Sequence, residues 1–165
     1  MTTEPAIQFH EEQYYIAIRA EVKMSDIPVV LPPLIPEVFQ WMEKNNVIQT
    51  GPCFFRYLSY DSDDQLLVDV GVPTAAQAKG DGRIITGSFP AANYVTVRYT
   101  GDYKELYHVH MGLESWMKEK NIKEGSQQID GKEYGARTEF YITDPQEVPD
   151  PAKWETDVSI LLADK

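Results

Sequence analysis

Strand-like and helix-like hydrophobic patterns take turns along this chain. The first strand signal is Tyr14-Tyr15-Ile16-Ala17-Ile18-Arg19-Ala20, aromatic and β-branched residues that follow the polar His10-Glu11-Glu12-Gln13. Pro28, Pro32, Pro33 and Pro36 then permit a helix only from about Pro33 or Pro36 onward. Proline is tolerated in a first turn because its missing N–H would have had no partner there. Leu34, Val38, Trp41 and Met42 recur at helical spacing and form one apolar stripe, which Asn45-Asn46 and then Gly51-Pro52 bring to an end. Two strands follow, Cys53 to Tyr60 and Gln65 to Val72, joined by the acidic turn Asp61-Ser62-Asp63-Asp64. So short a separation predicts a hairpin.

The order then replays. Asn93 to Tyr99 (NYVTVRY) matches QYYIAIR in type and in its closing Arg. A helix is predicted from about Asp102 or Tyr103, with Leu106, Val109, His110, Leu113, Trp116 and Met117 on one side. Glu139 to Thr143 is a strand ended by Asp144-Pro145, and Thr156 to Leu162 is the last strand. Within the helices, VFQWMEKNNV at 38–47 is answered by LESWMKEKNI at 113–122. The chain therefore states β, α, β, β twice, with repeats at about 5–75 and 84–165 and a polar, Gly-containing linker at about 76–83. Units this small bury too little alone, so one domain of two paired halves is expected. The expected class is α+β: two pseudo-symmetric β-α-β-β repeats, antiparallel sheets, helices on one face and a ligand cleft between the halves. The Trp-Met pairs read as core packing; the cleft is where small molecules are expected.

Charge narrows the partners. Fifteen basic residues face 26 acidic ones for a net charge of −11, with no basic cluster, which argues against direct nucleic-acid binding and mildly favours cationic ligands. Cys53 is the only cysteine, so an intrachain disulfide and a cysteine-based zinc site are excluded, and a packed thiol is expected. The start MTTEPAIQF lacks the basic and apolar parts of a signal peptide, and no apolar run approaches about 18 residues. A cytoplasmic protein without membrane contact is the expectation.

Alternation in Arg137-Thr138-Glu139-Phe140-Tyr141-Ile142 puts Arg137, Glu139 and Tyr141 on one side, expected to face the cleft. Thr138, Phe140 and Ile142 fall on the other, expected to pack against a helix. Counting back from Asp61 and Asp144 aligns Arg56 with Glu139 across the repeat. A buried carboxylate among aromatic rings either meets a cation or acts as a general acid or base; paired with Arg56 or Arg137 it is structural instead. Tyr103, at a helix start, lines the cleft mouth or staples the helix. Trp154 folds over an edge as a lid or loop anchor. His108 and His110, two apart on a helix, point to different faces and cannot chelate together, so His108 is expected at the surface and His110 partly buried. No metal site, cofactor or Gly-x-Ser-x-Gly nucleophile is indicated, and Gly80-Asp81-Gly82 reads as a turn.

Residues 139–159, EFYITDPQEVPDPAKWETDVS, carry a Glu-x-Tyr, Asp-Pro and Trp-x-Thr signature. With Gly51-Pro52, Phe55-Arg56-Tyr57, Asp69-Val70-Gly71-Val72-Pro73, Gly87-Ser88-Phe89-Pro90-Ala91 and Gly101-Asp102-Tyr103, the chain resembles GyrI-like small-molecule-binding domains over nearly its full length. These are related to effector-binding domains of multidrug-responsive transcription regulators. The resemblance implies a stand-alone binder of hydrophobic or cationic organic molecules, with Glu139 at the matching acidic position and Tyr141, Arg56, Tyr103 and Trp154 around the ligand. Some members resemble hydrolases of cyclopropane-bearing toxins, which would make Glu139 and Tyr141 catalytic. A protein-interaction role, such as inhibition of a topoisomerase, is a third implication, without a located docking surface. The pattern His-x-Gly-Pro-Tyr reads Tyr99-Thr100-Gly101-Asp102-Tyr103 here, and Ala92-Asn93 stands where glycine often precedes the strand tyrosine. Tyr99 and Asp102 are expected to alter the pocket's rim. A DNA-reading helix-turn-helix in the same chain is not expected.

Overall fold

A computed structural model describes residues 1–164. In chain order its elements are β1 (Ala6–His10), β2 (Gln13–Lys23), α1 (Ile27–Val30), α2 (Leu34–Lys44), β3 (Phe54–Tyr60), β4 (Gln65–Pro73), β5 (Ile84–Phe89), β6 (Ala92–Thr100), α3 (Leu106–Glu119), β7 (Gln127–Ile129), β8 (Lys132–Tyr134), β9 (Arg137–Tyr141) and β10 (Glu155–Leu161). The fold is α+β, with antiparallel strand pairing. Each predicted strand and both predicted helices are present. Four strands come in addition: β1, β5 and the hairpin β7–β8, turned at Asp130-Gly131 with φ of 51° and 80°. The short α1 starts earlier than the prolines suggested, because Pro28 itself sits in its first turn. Among the described residues no helix is long and apolar enough to cross a membrane.

The described chain divides into two compact units, Glu11–Ala91 and Met1–His10 with the chain from Ala92 onward. These cuts differ from the sequence repeats by one strand at each end. β1 pairs with β6, and β5 pairs with β2, so the strand that opens each repeat completes the sheet built by the other.

In the Glu11–Ala91 unit the strands run β3-β4-β2-β5. Val38 and Met42 of α2 pack on Ile16, Ile18, Val72 and Ile84. The face turned from α2 carries a buried polar network, in which Arg19 and Arg56 stand opposite Asp69 on either side. Arg19 donates to both Asp69 oxygens at 2.8 and 3.0 Å, and the Tyr15 hydroxyl donates to Oδ2 at 2.6 Å. Burial first, then the Asp69 charge, pushes the Tyr15 phenol up from its ordinary value.

The other unit runs β1-β6-β10-β9. Leu106, Val109, Leu113 and Met117 of α3 cover Val95, Val97, Tyr99, Val158 and Ile160. Arg98 and Asp157 repeat the Arg19–Asp69 fork at 2.7 and 3.0 Å, but in a more exposed setting.

The duplicated helix segments encode a stop as well as a core. Met42 and Met117 are buried. After them, Asn46 and Asn121 take left-handed φ of 54° and 57°. The next N–H turns back on the methionine carbonyl in both copies: Val47 to Met42 at 3.0 Å and Ile122 to Met117 at 2.9 Å. This is the glycine-favouring Schellman stop with Asn in the left-handed position. Glycine at Asn46 or Asn121 should therefore raise stability by about 0.5–1 kcal/mol, equally at the two sites, read from urea unfolding.

Candidate functional site

Alternation along β9 places Arg137, Glu139 and Tyr141 on one side, as read from sequence, but that side is the one α3 covers. Glu139 stands opposite Val158, a core residue beneath α3, and Tyr141 packs against the same core. The expectation that Thr138, Phe140 and Ile142 form the helix-packed face is thus overturned. The reason lies in α3, whose stripe is not wholly apolar. Its His110 and Glu114 give an acid and a base on the strand polar partners, so a charged strand face is buried under a helix without being left unpaired.

Glu139 is buried, with a relative exposure of 6%. Its Oε2 lies 2.8 Å from His110 Nε2, and its Oε1 accepts from the Tyr141 hydroxyl at 2.6 Å. Beyond Tyr141 the aromatic surface continues. The Tyr103 ring lies 5.4 Å from that of Tyr141, at 61°, and 4.6 Å from that of Trp154, at 32°. Trp154 is anchored by Nε1 donating to Val148 O at 2.6 Å. Its carbonyl accepts from the Gly101 N–H at 2.8 Å. All three aromatic residues are half-buried. Next along the strand, Arg137 donates to Glu124 and Glu114, which accounts for it as a structural ion pair.

The residues that depart from the family pattern hold the turn that carries Tyr103. The Tyr99 hydroxyl donates to Asp102 O at 2.9 Å, and Asp102 Oδ1 caps the Lys104 N–H at 3.1 Å. Burial raises the Tyr99 phenol from its ordinary value, with Glu105 and Asp102 adding to it. Gly101, at φ 151°, lies against the Tyr99 ring where a side chain would not fit.

Arg56 belongs to the other unit and to its helix-free face. It is fully buried, its Nη1 donating to Tyr15 Oη at 3.1 Å and to Ser88 O at 2.9 Å, with its guanidinium 5.2 Å from the Phe89 ring centre. The sheet registers correct its alignment. With Asp69 equivalent to Asp157, the partner of Arg56 across the repeat is Phe140, and Phe55-x-Tyr57 matches Glu139-x-Tyr141. A β-bulge between Tyr57 and Ser59 adds one residue before the Asp61 turn, so counting back from the turn slips by one.

The sequence places His110 as partly buried and does not reveal its partnership with Glu139. The available signal was its place on the apolar stripe, four after Leu106 and three before Leu113, where an imidazole must find a polar partner. His108 is exposed and bonded to Glu105 at 2.9 Å, as expected of a surface position. No cluster fit to hold a metal ion occurs among the described residues. A separate open groove of about 590 Å3 runs beside α3, lined by Glu4, Tyr99, His108, Val109 and Trp116 among others; Glu139, Tyr141, Tyr103 and Trp154 do not line it.

The model of the GyrI-like small molecule binding domain matches residues 3–163. This chain belongs to that family. The GyrI-like domain also shares its fold with solved structures. It superposes on the C-terminal domain of EcmrR with a TM-score of 0.74 at 22% identity, covering 98% of each chain. Against the longer EcmrR chain in its DNA complex the TM-score is 0.75 at 21% identity, with 98% of this chain covered but only 58% of that one. SAV2435 bound to tetraphenylphosphonium gives a TM-score of 0.64 at 8% identity, over 98% of this chain and 94% of that one. At these identities the likeness is one of fold. A comparison with curated proteins finds no significant match.

Proposed function

We propose that this GyrI-like domain binds hydrophobic organic cations, with Glu139 as the counter-charge and Tyr141, Tyr103 and Trp154 as the aromatic wall. The observation that carries the reading is the buried Glu139 carboxylate, held on both oxygens by side chains and continued by that run of rings. A fixed carboxylate in poorly hydrated surroundings attracts a cation more strongly than one in water, and ring faces add cation–π attraction. Tetraphenylphosphonium, the molecule bound to SAV2435, is a cation with an apolar surface and suits such a site. In this reading Arg56 organises Tyr15 and Ser88 within its own unit and is not a ligand contact.

Calorimetric titration with tetraphenylphosphonium tests it. Glu139→Gln keeps the size of the side chain and removes its charge, so the affinity should fall about tenfold. Tetraphenylborate, of the same shape and opposite charge, should bind the unmodified protein more weakly than the phosphonium. Equal affinities for the two proteins would remove Glu139 from the site.

A second reading, hydrolysis of an electrophilic cyclopropane-bearing molecule, uses the same carboxylate as general base and Tyr141 as hydrogen-bond donor. The contact of Glu139 with both a histidine and a phenol favours it. Mass detection of a water adduct is its test; stoichiometric binding without product would eliminate it.

A further inference from the structure

We infer that His110 makes charge selection at Glu139 depend on pH, so that organic cations are held at neutral and alkaline pH and released in acid. This rests on the binding reading above and adds its regulation. The imidazole and the carboxylate are both largely buried, with side-chain exposures of 15% and 7%, and they meet at 2.8 Å. Histidine is the side chain whose charge changes within the physiological pH range. With a proton on Nε2, neutral imidazole donates to Oε2 and leaves the carboxylate's charge in the site. Imidazolium donates the same hydrogen bond from the same nitrogen. The geometry therefore survives protonation, while a full positive charge appears one hydrogen bond from the anion. A cationic ligand then meets a neutral pair.

Several titratable groups on the neighbouring elements have partners of their own. From β9, Tyr141 shares the Glu139 carboxylate, and Arg137 is bound by Glu114 of α3 and by Glu124. On α3, Glu114 also meets Lys118 at 3.8 Å, and His108 pairs with Glu105, the residue just before the helix. β6 contributes the Tyr99 phenol, bonded to Asp102 O, and β10 contributes Val158 and Ile160. Tyr103, from the turn before α3, meets Tyr141 edge-on. The carboxylate that His110 meets directly is that of Glu139.

The test is titration of the whole protein and of H110Q with tetraphenylphosphonium and with tetraphenylborate, at pH 8 and pH 5.5 and constant ionic strength. For the unmodified protein the phosphonium affinity should fall roughly tenfold in acid, and the borate affinity should move in the opposite direction. In H110Q the side-chain amide still donates to Oε2 but takes on no charge, so the step should vanish. As a second measurement on the unmodified protein, the NMR titration of the His110 ring protons should shift to lower pH when the phosphonium saturates the site, since a bound cation disfavours imidazolium. A flat profile, a step that persists in H110Q, or an unmoved ring titration would overturn the role of His110 and leave binding at Glu139 standing. No phosphonium binding at pH 8 would overturn both.

Discussion

Replacing Asp69 by alanine should cost about 3–5 kcal/mol of stability, whereas Asp157→Ala, at the repeat-equivalent position, should cost under about 1 kcal/mol. Both carboxylates accept a two-pronged bond from the arginine opposite, at nearly identical distances. What differs is solvent. The Asp69 side chain is fully buried and also accepts from Tyr15, whose hydroxyl in turn accepts from the buried Arg56. Removing it takes the acceptor from the buried Tyr15 hydroxyl and the carboxylate from Arg19, whose side chain is 28% exposed, and breaks the buried chain that continues to Arg56. The side chains of Asp157 and Arg98 are 24% and 43% exposed, so water and salt already screen the pair and take over when one partner is lost. Urea unfolding of the two variants measures the difference directly. Equal losses would mean that the Asp69 network adds nothing beyond a surface ion pair.

Gly101→Ala should lose about 2–3 kcal/mol and weaken tetraphenylphosphonium binding at the same time. At φ 151° the backbone is in a region that a side chain disfavours, and an added Cβ would stand 2.7 Å from Tyr99 Cζ and closer still to its hydroxyl. Tyr99 cannot retreat cheaply: its ring is part of the core beneath α3, and its hydroxyl holds Asp102 O. Strain at this point reaches the site by two short routes. The Gly101 N–H holds Trp154 O, and two residues on, Tyr103 packs against both Tyr141 and Trp154. Unfolding and calorimetry on the same preparation decide the matter; a variant with unchanged stability and affinity would show that this turn does not position the aromatic wall.

The comparison of sequence with structure is most instructive along β9. Period-two alternation separated Glu139 and Tyr141 from Thr138 and Phe140 without any tertiary information, because successive side chains of a strand must point to opposite faces. Which face a helix would cover was not readable from the strand alone. It depends on where α3 comes to rest and on His110 and Glu114 being there to satisfy charged residues. The strands β1 and β5 likewise owe their places to pairing with distant segments. All five residues of β1 are exposed although Ile7 and Phe9 are apolar, and its place is set by pairing with β6 far along the chain.

The sequence by itself determined the local events: two helices with the same packing stripe and the same asparagine stop, the hairpin β3–β4, and the side of the strand that Glu139 and Tyr141 share. These follow from backbone geometry and from contacts a few residues apart. Only the tertiary structure decided that the opening strands are exchanged between the sequence repeats, that a bulge before Asp61 shifts Arg56 out of register with Glu139, and that the Glu139 carboxylate is closed by His110. Each of these turns on a pairing between distant segments, where one added residue or one seated helix reverses which side chains meet.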